Sequence, residues 1–313
     1  MPEILKSQKT WKARKFRPVK VSKRTELWYR QQLKQFVKTM TDDIERAMQQ
    51  PQGSFFMDDA EGFKAISAKA LMKALEKYEK SDRTSQAENI ANGFVSRGDA
   101  QNHAEVSKNL KNQTGIDLSA YLGNSPNIAE KVNAMTTANV QLIKSIHSQY
   151  LDKVQNAVTQ SLVKGTLNKD LVQQIKDIGK TTEKRAAFIA RDQSSKLNAA
   201  LTQARHEEVG IKKYMWSTSG DERVRESHAE KDGKVFEYAN PPADTGHPGH
   251  DFNCRCVAIP VLDDVVKSSS NAQEASSEPI KEDLSLSVDK LVEKSQKIEP
   301  TITADINNIA TKA

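Results

Sequence analysis

A change of periodicity at Gly210 limits the fold of this chain more than any other feature. Before it, apolar residues recur at helical spacing; after it, they fall in short strand-like runs. Tyr29, Leu33, Phe36, Val37, Met40 and Ile44 lie on one face of a helix that begins near Thr25 and breaks at Pro51 and Gly53. Helical stretches resume over 65–80 and 85–95, with Gly98, Gly115, Gly123 and Pro126 as punctuation. The longest helix is predicted from an Asn127 N-cap, with a stripe of Ile128, Val132, Met135, Leu142, Ile143, Ile146, Tyr150 and Ala157. Asn139 and Lys153 fall within that stripe and argue against a regular coiled coil. Thirty such residues would reach about 45 Å, enough to run along a bundle.

Gly165 is expected to close that helix. Asn168 then caps a short one to Ile178, Gly179 closes it, and Thr181 or Thr182 starts a third that ends at Val209. The last of these carries Ala186, Ile189, Ala190, Gln193, Leu197, Ala200, Leu201 and Ala204 on one side. Its small residues let a neighbouring helix approach closely, and Gln193, near the centre, needs a partner if buried. Beyond Gly210, strands are predicted at Lys213–Ser217, 235–238 and Val257–Val261, with Asp232-Gly233 as a hairpin signal. The expected fold is mainly α: an elongated helical body with long helices, then a small β-rich C-terminal module, with flexible tails. The boundaries are a basic arm 1–24, a helical region 25–126, a long-helix core 127–209, the module 210–262 and a tail 263–313.

The net charge of +6 is concentrated at one end. Lys6, Lys9, Lys12, Arg14, Lys15, Arg17, Lys20, Lys23 and Arg24 face one acid, Glu3, within the first 24 residues, and the rest of the chain balances at −2. Trp11, Phe16 and Pro18 interrupt that run, so it reads as a cationic arm suited to double-stranded DNA or an acidic protein face. The tail is Ser-rich and carries ten acids against six lysines; Leu284, Val288, Leu291 and Val292 could form one docking helix. No run is apolar and long enough to span a membrane, and residues 1–10 lack the apolar stretch of a secretory signal. The expectation is a chain that stays in a reducing cytosol and has no membrane partner.

The only cysteines are Cys254 and Cys256, close behind His247 and His250 and downstream of His228. A structural zinc ion takes four tetrahedral Cys or His ligands, and small modules often need one to fold. Two thiolates, His228, and His247 or His250 would complete such a set. The competing expectation packs Cys256 into a strand and Cys254 into a turn, leaves the histidines exposed, and suits Arg255 pointing outward equally well. Asp221, Arg223, Arg225 and His228 could supply an acid, a cationic clamp and a base for phosphodiester chemistry. An ion-paired loop, with Asp221 held by Arg223 or Arg225 and His228 bonded to the turn, is the favoured expectation, with no catalytic residue. His103, His147 and His206 are expected on helix surfaces.

Lys164-Gly165-Thr166-Leu167, Ile189-Ala190-Arg191-Asp192-Gln193, Asn198, Gly210, Tyr214-Met215-Trp216, Asp221 to Arg225, His228, Asp232-Gly233-Lys234-Val235-Phe236, Pro241-Pro242 and Asn253 to Cys256 together resemble the phage head-morphogenesis family of Mu F-like minor head proteins. The match covers about residues 160–262. Many relatives read Ala-Arg-Thr-Glu where this chain has Ala190-Arg191-Asp192-Gln193. The resemblance implies a non-enzymatic protein present in few copies inside the virion head. It implies association with the portal and with capsid or scaffolding proteins, an effect on DNA packaging or ejection, and residence in the host cytoplasm during assembly. Arg191, Gln193, Trp216, Asp221, Arg223, Arg225 and Gly233 are then structural residues. A metal-dependent nuclease or delivered effector, and a nucleic-acid-binding protein using the Cys/His module, remain as alternatives.

Overall fold

The computed structural model describes residues 16–49, 72, 75–76, 78–79, 83–164 and 168–262. The chain divides into two units, Met1–Val266 and Lys267–Ala313, and the second lies outside the described residues, as does the expected docking helix within it. Four long helices build the body: α1 (Lys23–Gln49), α2 (Thr84–Thr114), α4 (Pro126–Lys164) and α5 (Asn168–Glu208), with a short α3 (Ser119–Gly123) between α2 and α4. Among the described residues no helix is long and apolar enough to cross a membrane.

The periodic stripes become the core. Tyr29, Leu33, Phe36, Val37, Met40 and Ile44 of α1 pack with Ala87 to Val95 of α2, Leu142 to Val158 of α4, and Leu171 to Leu201 of α5. Removing these faces from water supplies the main driving force for the bundle. Asn139 lies inside this core, where the Tyr29 hydroxyl donates to its Oδ1 at 2.9 Å and its Nδ2 donates to the Met135 carbonyl at 2.8 Å. Burial without those partners would cost more than the pair returns.

Three helix boundaries differ from the sequence expectation. Helix α2 runs straight through Gly98, because that glycine is a packing position: a Cβ there would lie 2.4 Å from Leu197 Cδ2 on α5. Gly115, in the left-handed region at φ 73, is the residue that ends α2. Likewise α5 is one helix of 41 residues, continuous through Gly179, where a Cβ would lie 2.7 Å from Thr41 Oγ1 on α1. Helix α4 begins at Pro126, and the Ser125 hydroxyl accepts the Ile128 N–H at 3.3 Å. Ser125, not Asn127, is therefore the cap, with Pro at the first helical position. Asn127 instead donates to Glu208 Oε2 at 3.0 Å.

The helices end against a three-stranded antiparallel sheet of order β2-β1-β3, formed by β1 (Lys213–Ser217), β2 (Val235–Glu237) and β3 (Val257–Val261). Tyr214 pairs with Phe236 on one side and Pro260 on the other. The β1–β2 connection is longer than a hairpin turn, for it contains the single-turn helix α6 (Glu226–Ala229). Gly233, at φ 73, closes that connection by donating its N–H to the Trp216 carbonyl at 2.8 Å. A second core joins module to body: Tyr214, Trp216, Tyr238, Cys254 and Cys256 pack with Val19, Val106, Leu110, Leu122 and Ile128.

Candidate metal centre

Besides the shared core, one buried carboxylate ties the module to the body. Asp192, on α5 and 2% exposed, accepts the Asn253 N–H at 2.8 Å, Lys196 Nζ at 3.1 Å and Gln193 Nε2 at 3.2 Å. Asn253 sits in the left-handed region at φ 49, a conformation that Asn tolerates better than most residues. That bend, and the Cys254 N–H bonded to the Asp251 carbonyl at 3.1 Å, turn the next residues inward against β1. Cys254 and Cys256 are both buried as a result.

His228 comes to them from α6. Its Nδ1 lies 3.4 Å from Cys254 Sγ and 3.5 Å from Cys256 Sγ, and Trp216 packs edge-on to its ring with centroids 5.5 Å apart. On the other side of the imidazole, Nε2 is 3.1 Å from Asp251 Oδ2. A carboxylate can only accept, so Nε2 carries the proton and the Nδ1 lone pair faces the sulfurs. Arg225 holds Asp251 in place, donating to its Oδ2 at 2.8 Å and to the Phe252 carbonyl at 2.7 Å.

The backbone also serves the sulfurs. The N–H groups of Gly249 and Cys256 each point at Cys254 Sγ from 3.4 Å. The Cys254 pKa is lowered, chiefly by hydrogen bonding with the Cys256 thiol, with these two N–H groups adding to the effect against the opposing pull of burial. Cys256 moves the opposite way for the same reason, since it holds the proton that the pair shares.

Among the described residues, His228, Cys254 and Cys256 are the group able to hold a metal ion, with ligand atoms all within 4.8 Å of one another. The structure does not bring His247 or His250 into it. His247 is buried, with Nδ1 3.0 Å from the Tyr214 hydroxyl, while His250 lies exposed with its ring edge-on to His247. The loop is ion-paired as expected, but with other partners: Asp221 pairs chiefly with Arg255, and Arg225 pairs with Asp251. Asp221 is held by the two terminal nitrogens of the Arg255 guanidinium, which above all lower its carboxyl to about 2, while the Arg223 backbone N–H donates to its Oδ1 at 3.1 Å and the Arg223 guanidinium comes only to 3.7 Å.

Of the remaining sequence-assigned residues, Trp216 is fully buried, Gln193 is buried beside Asp192, and Arg191 is exposed. Arg17, Lys20, Lys23 and Arg24 are exposed; Lys6, Lys9, Lys12, Arg14 and Lys15 lie outside the described residues. His206 is not on the surface: it is 2% exposed, with Nδ1 2.7 Å from the Tyr238 hydroxyl. His147 is half-buried against Phe36 and Tyr78, and His103 is half-buried with Nε2 2.9 Å from the Ser119 carbonyl. Nothing in the sequence marks Asp251, Asp192 as a tether, or Arg205. Arg205, 1% exposed, pairs with Asp99 at 2.5 Å and donates to Asn102 Oδ1 at 2.7 Å. The Asp251 signal was its place three residues before Cys254, but a lone carboxylate in a loop is too common to single out.

Residues 152–259, which span the second half of α4, all of α5 and most of the module, match the family of Phage Mu protein F like protein. This segment is what the chain shares with that family. The chain is 84% identical over 272 residues to an uncharacterized protein of Haemophilus influenzae, covering 86% of this chain and 61% of that one. It is 28% identical over 199 residues to the NAD(+)--arginine ADP-ribosyltransferase EFV of Enterococcus faecalis, covering 58% and 40%. A third similarity, 30% over 124 residues, is to an uncharacterized protein of Methanocaldococcus jannaschii and covers 39% and 19%. The chain thus spans about three fifths of the Haemophilus relative's length and less of the others. No solved structure matches it.

Proposed function

We propose that this chain is a minor head protein of a phage, present in few copies, that acts in head assembly beside the portal and contributes to DNA packaging or ejection. The observation that carries this is the family match over 152–259, which coincides with α5 and the module packed on its end. In this proposal the long helices dock on the portal, capsid or scaffolding proteins. The basic arm meets packaged DNA or an acidic protein face, a contact that fits the exposure of Arg17, Lys20, Lys23 and Arg24 at its body-proximal end. Deleting the gene from the phage or prophage that carries it tests the proposal. Normal tails with heads that package or eject poorly support it; wild-type yield of infectious particles contradicts it.

An enzymatic alternative draws on the similarity to the Enterococcus protein named as an arginine ADP-ribosyltransferase. The overlap covers 40% of that protein, so its named activity need not reside in the shared part. In this chain Asp221, Arg225 and His228 are committed to tying loops and sulfurs together. Incubation of the purified chain with NAD+ and an arginine acceptor separates the two readings: the head-protein proposal expects no transferred ADP-ribose, and transfer would favour the enzyme.

A further inference from the structure

We propose that His228 Nδ1, Cys254 Sγ and Cys256 Sγ bind one zinc ion that locks the C-terminal module in its folded form. With Zn–S of about 2.3 Å and Zn–N of about 2.05 Å at a tetrahedral angle, a nitrogen and a sulfur on the same ion stand about 3.6 Å apart. The two N···S distances here are 3.4 and 3.5 Å. Both sulfurs thus already stand at ligand spacing from one nitrogen.

Nδ1 has one lone pair, and Asp251 on Nε2 fixes the tautomer that presents it. One lone pair makes one good hydrogen bond, yet two sulfurs converge on it. An ion placed among the three satisfies all of them at once. Metal-bound histidines characteristically pass their other N–H to a carboxylate, as His228 does to Asp251, and Asp251 is fixed in turn by Arg225. The N–H groups of Gly249 and Cys256 aimed at Cys254 Sγ are suited to a sulfur bearing negative charge. Two thiolates and an imidazole select zinc over magnesium or calcium, which prefer oxygen. These residues supply three of the four tetrahedral positions.

The test uses the full-length chain purified under reducing conditions, with elemental analysis followed by Co2+ substitution monitored for thiolate-to-cobalt charge-transfer absorption. One zinc per chain and a strong charge-transfer band are expected. Cys254→Ser, Cys256→Ser and His228→Ala should abolish both, and Asp251→Asn should weaken metal affinity about 10- to 100-fold. His250→Ala, an exposed position, should keep full occupancy. If the ligand variants do not fold, the wild-type spectrum and Asp251→Asn still decide. Folded wild-type protein with neither zinc nor a cobalt–thiolate band would overturn the proposal, and metal loss in His250→Ala would overturn the three-residue assignment. Neither result bears on whether the chain enters phage heads.

Discussion

Acid should destabilise this protein through His206, and the size of the effect can be worked from its surroundings. The ring sits in the last turn of α5 against Tyr238, 2% exposed. Burial pushes its pKa down from 6.5 to about 3. The helix C-terminus favours imidazolium by about 0.3–1 kcal/mol, less than the 1.4 or so that one pKa unit represents, so burial prevails. Because the folded pKa lies below the unfolded one, the unfolded chain takes up the proton first as pH falls. His206 therefore costs no stability above about pH 6.5 and progressively more between there and about pH 3. Between about pH 7.5 and about pH 5 the loss is about 2 kcal/mol, and it hardly changes if the folded pKa is about 4 instead of about 3. Urea unfolding of wild type and His206→Gln at both pH values measures it, since the amide can partner Tyr238 but does not titrate. His147 and His247, also lowered by burial, act in both proteins and cancel. Wild type should lose about 2 kcal/mol more than the variant. Equal losses would refute the reasoning.

Four further substitutions test the packing. Gly249 has φ 88 and a Cβ there would lie 2.7 Å from Ala199 Cβ, so Gly249→Ala should cost about 2 kcal/mol or more. Gly233→Ala, with φ 73 but open space, should cost about 1 kcal/mol, and equal thermal shifts for the two would contradict the close approach. Asp192→Ala removes the acceptor of the Asn253 N–H and should cost about 1.5–3 kcal/mol, with faster hydrogen exchange at residues 251–256 than in α1. Uniform exchange would show that Asp192 does not tether the module. Tyr29→Phe strands the buried Asn139 Oδ1 and should lower stability by about 1–3 kcal/mol in denaturant unfolding, whereas an unchanged midpoint would mean that another donor replaces the hydroxyl.

Much of the fold was legible because periodicity reports burial directly. The α1 stripe is the buried face, and β1 and β3 fall at Lys213–Ser217 and Val257–Val261 as expected from their runs. Glycine misled the reading where a single sequence cannot distinguish a break from a contact. Gly98 and Gly179 have the residue type of helix terminators but are sites where another helix comes close. The site was legible in its donors and not in its supports. Cys254, Cys256 and His228 stand out by chemistry, whereas Asp251, Asp192 and the Arg205–Asp99 pair act through contacts that one sequence does not reveal. His206 was misplaced because a polar residue near a helix end ordinarily faces water, and here β-module residues cover it.

The most direct test of the head-protein account is quantitative mass spectrometry of purified, nuclease-treated heads from the phage or prophage that encodes this chain. The account expects peptides of this chain at a few copies per head, retained through density-gradient purification. Free protein in the lysate, with none in procapsids or mature heads, would contradict it.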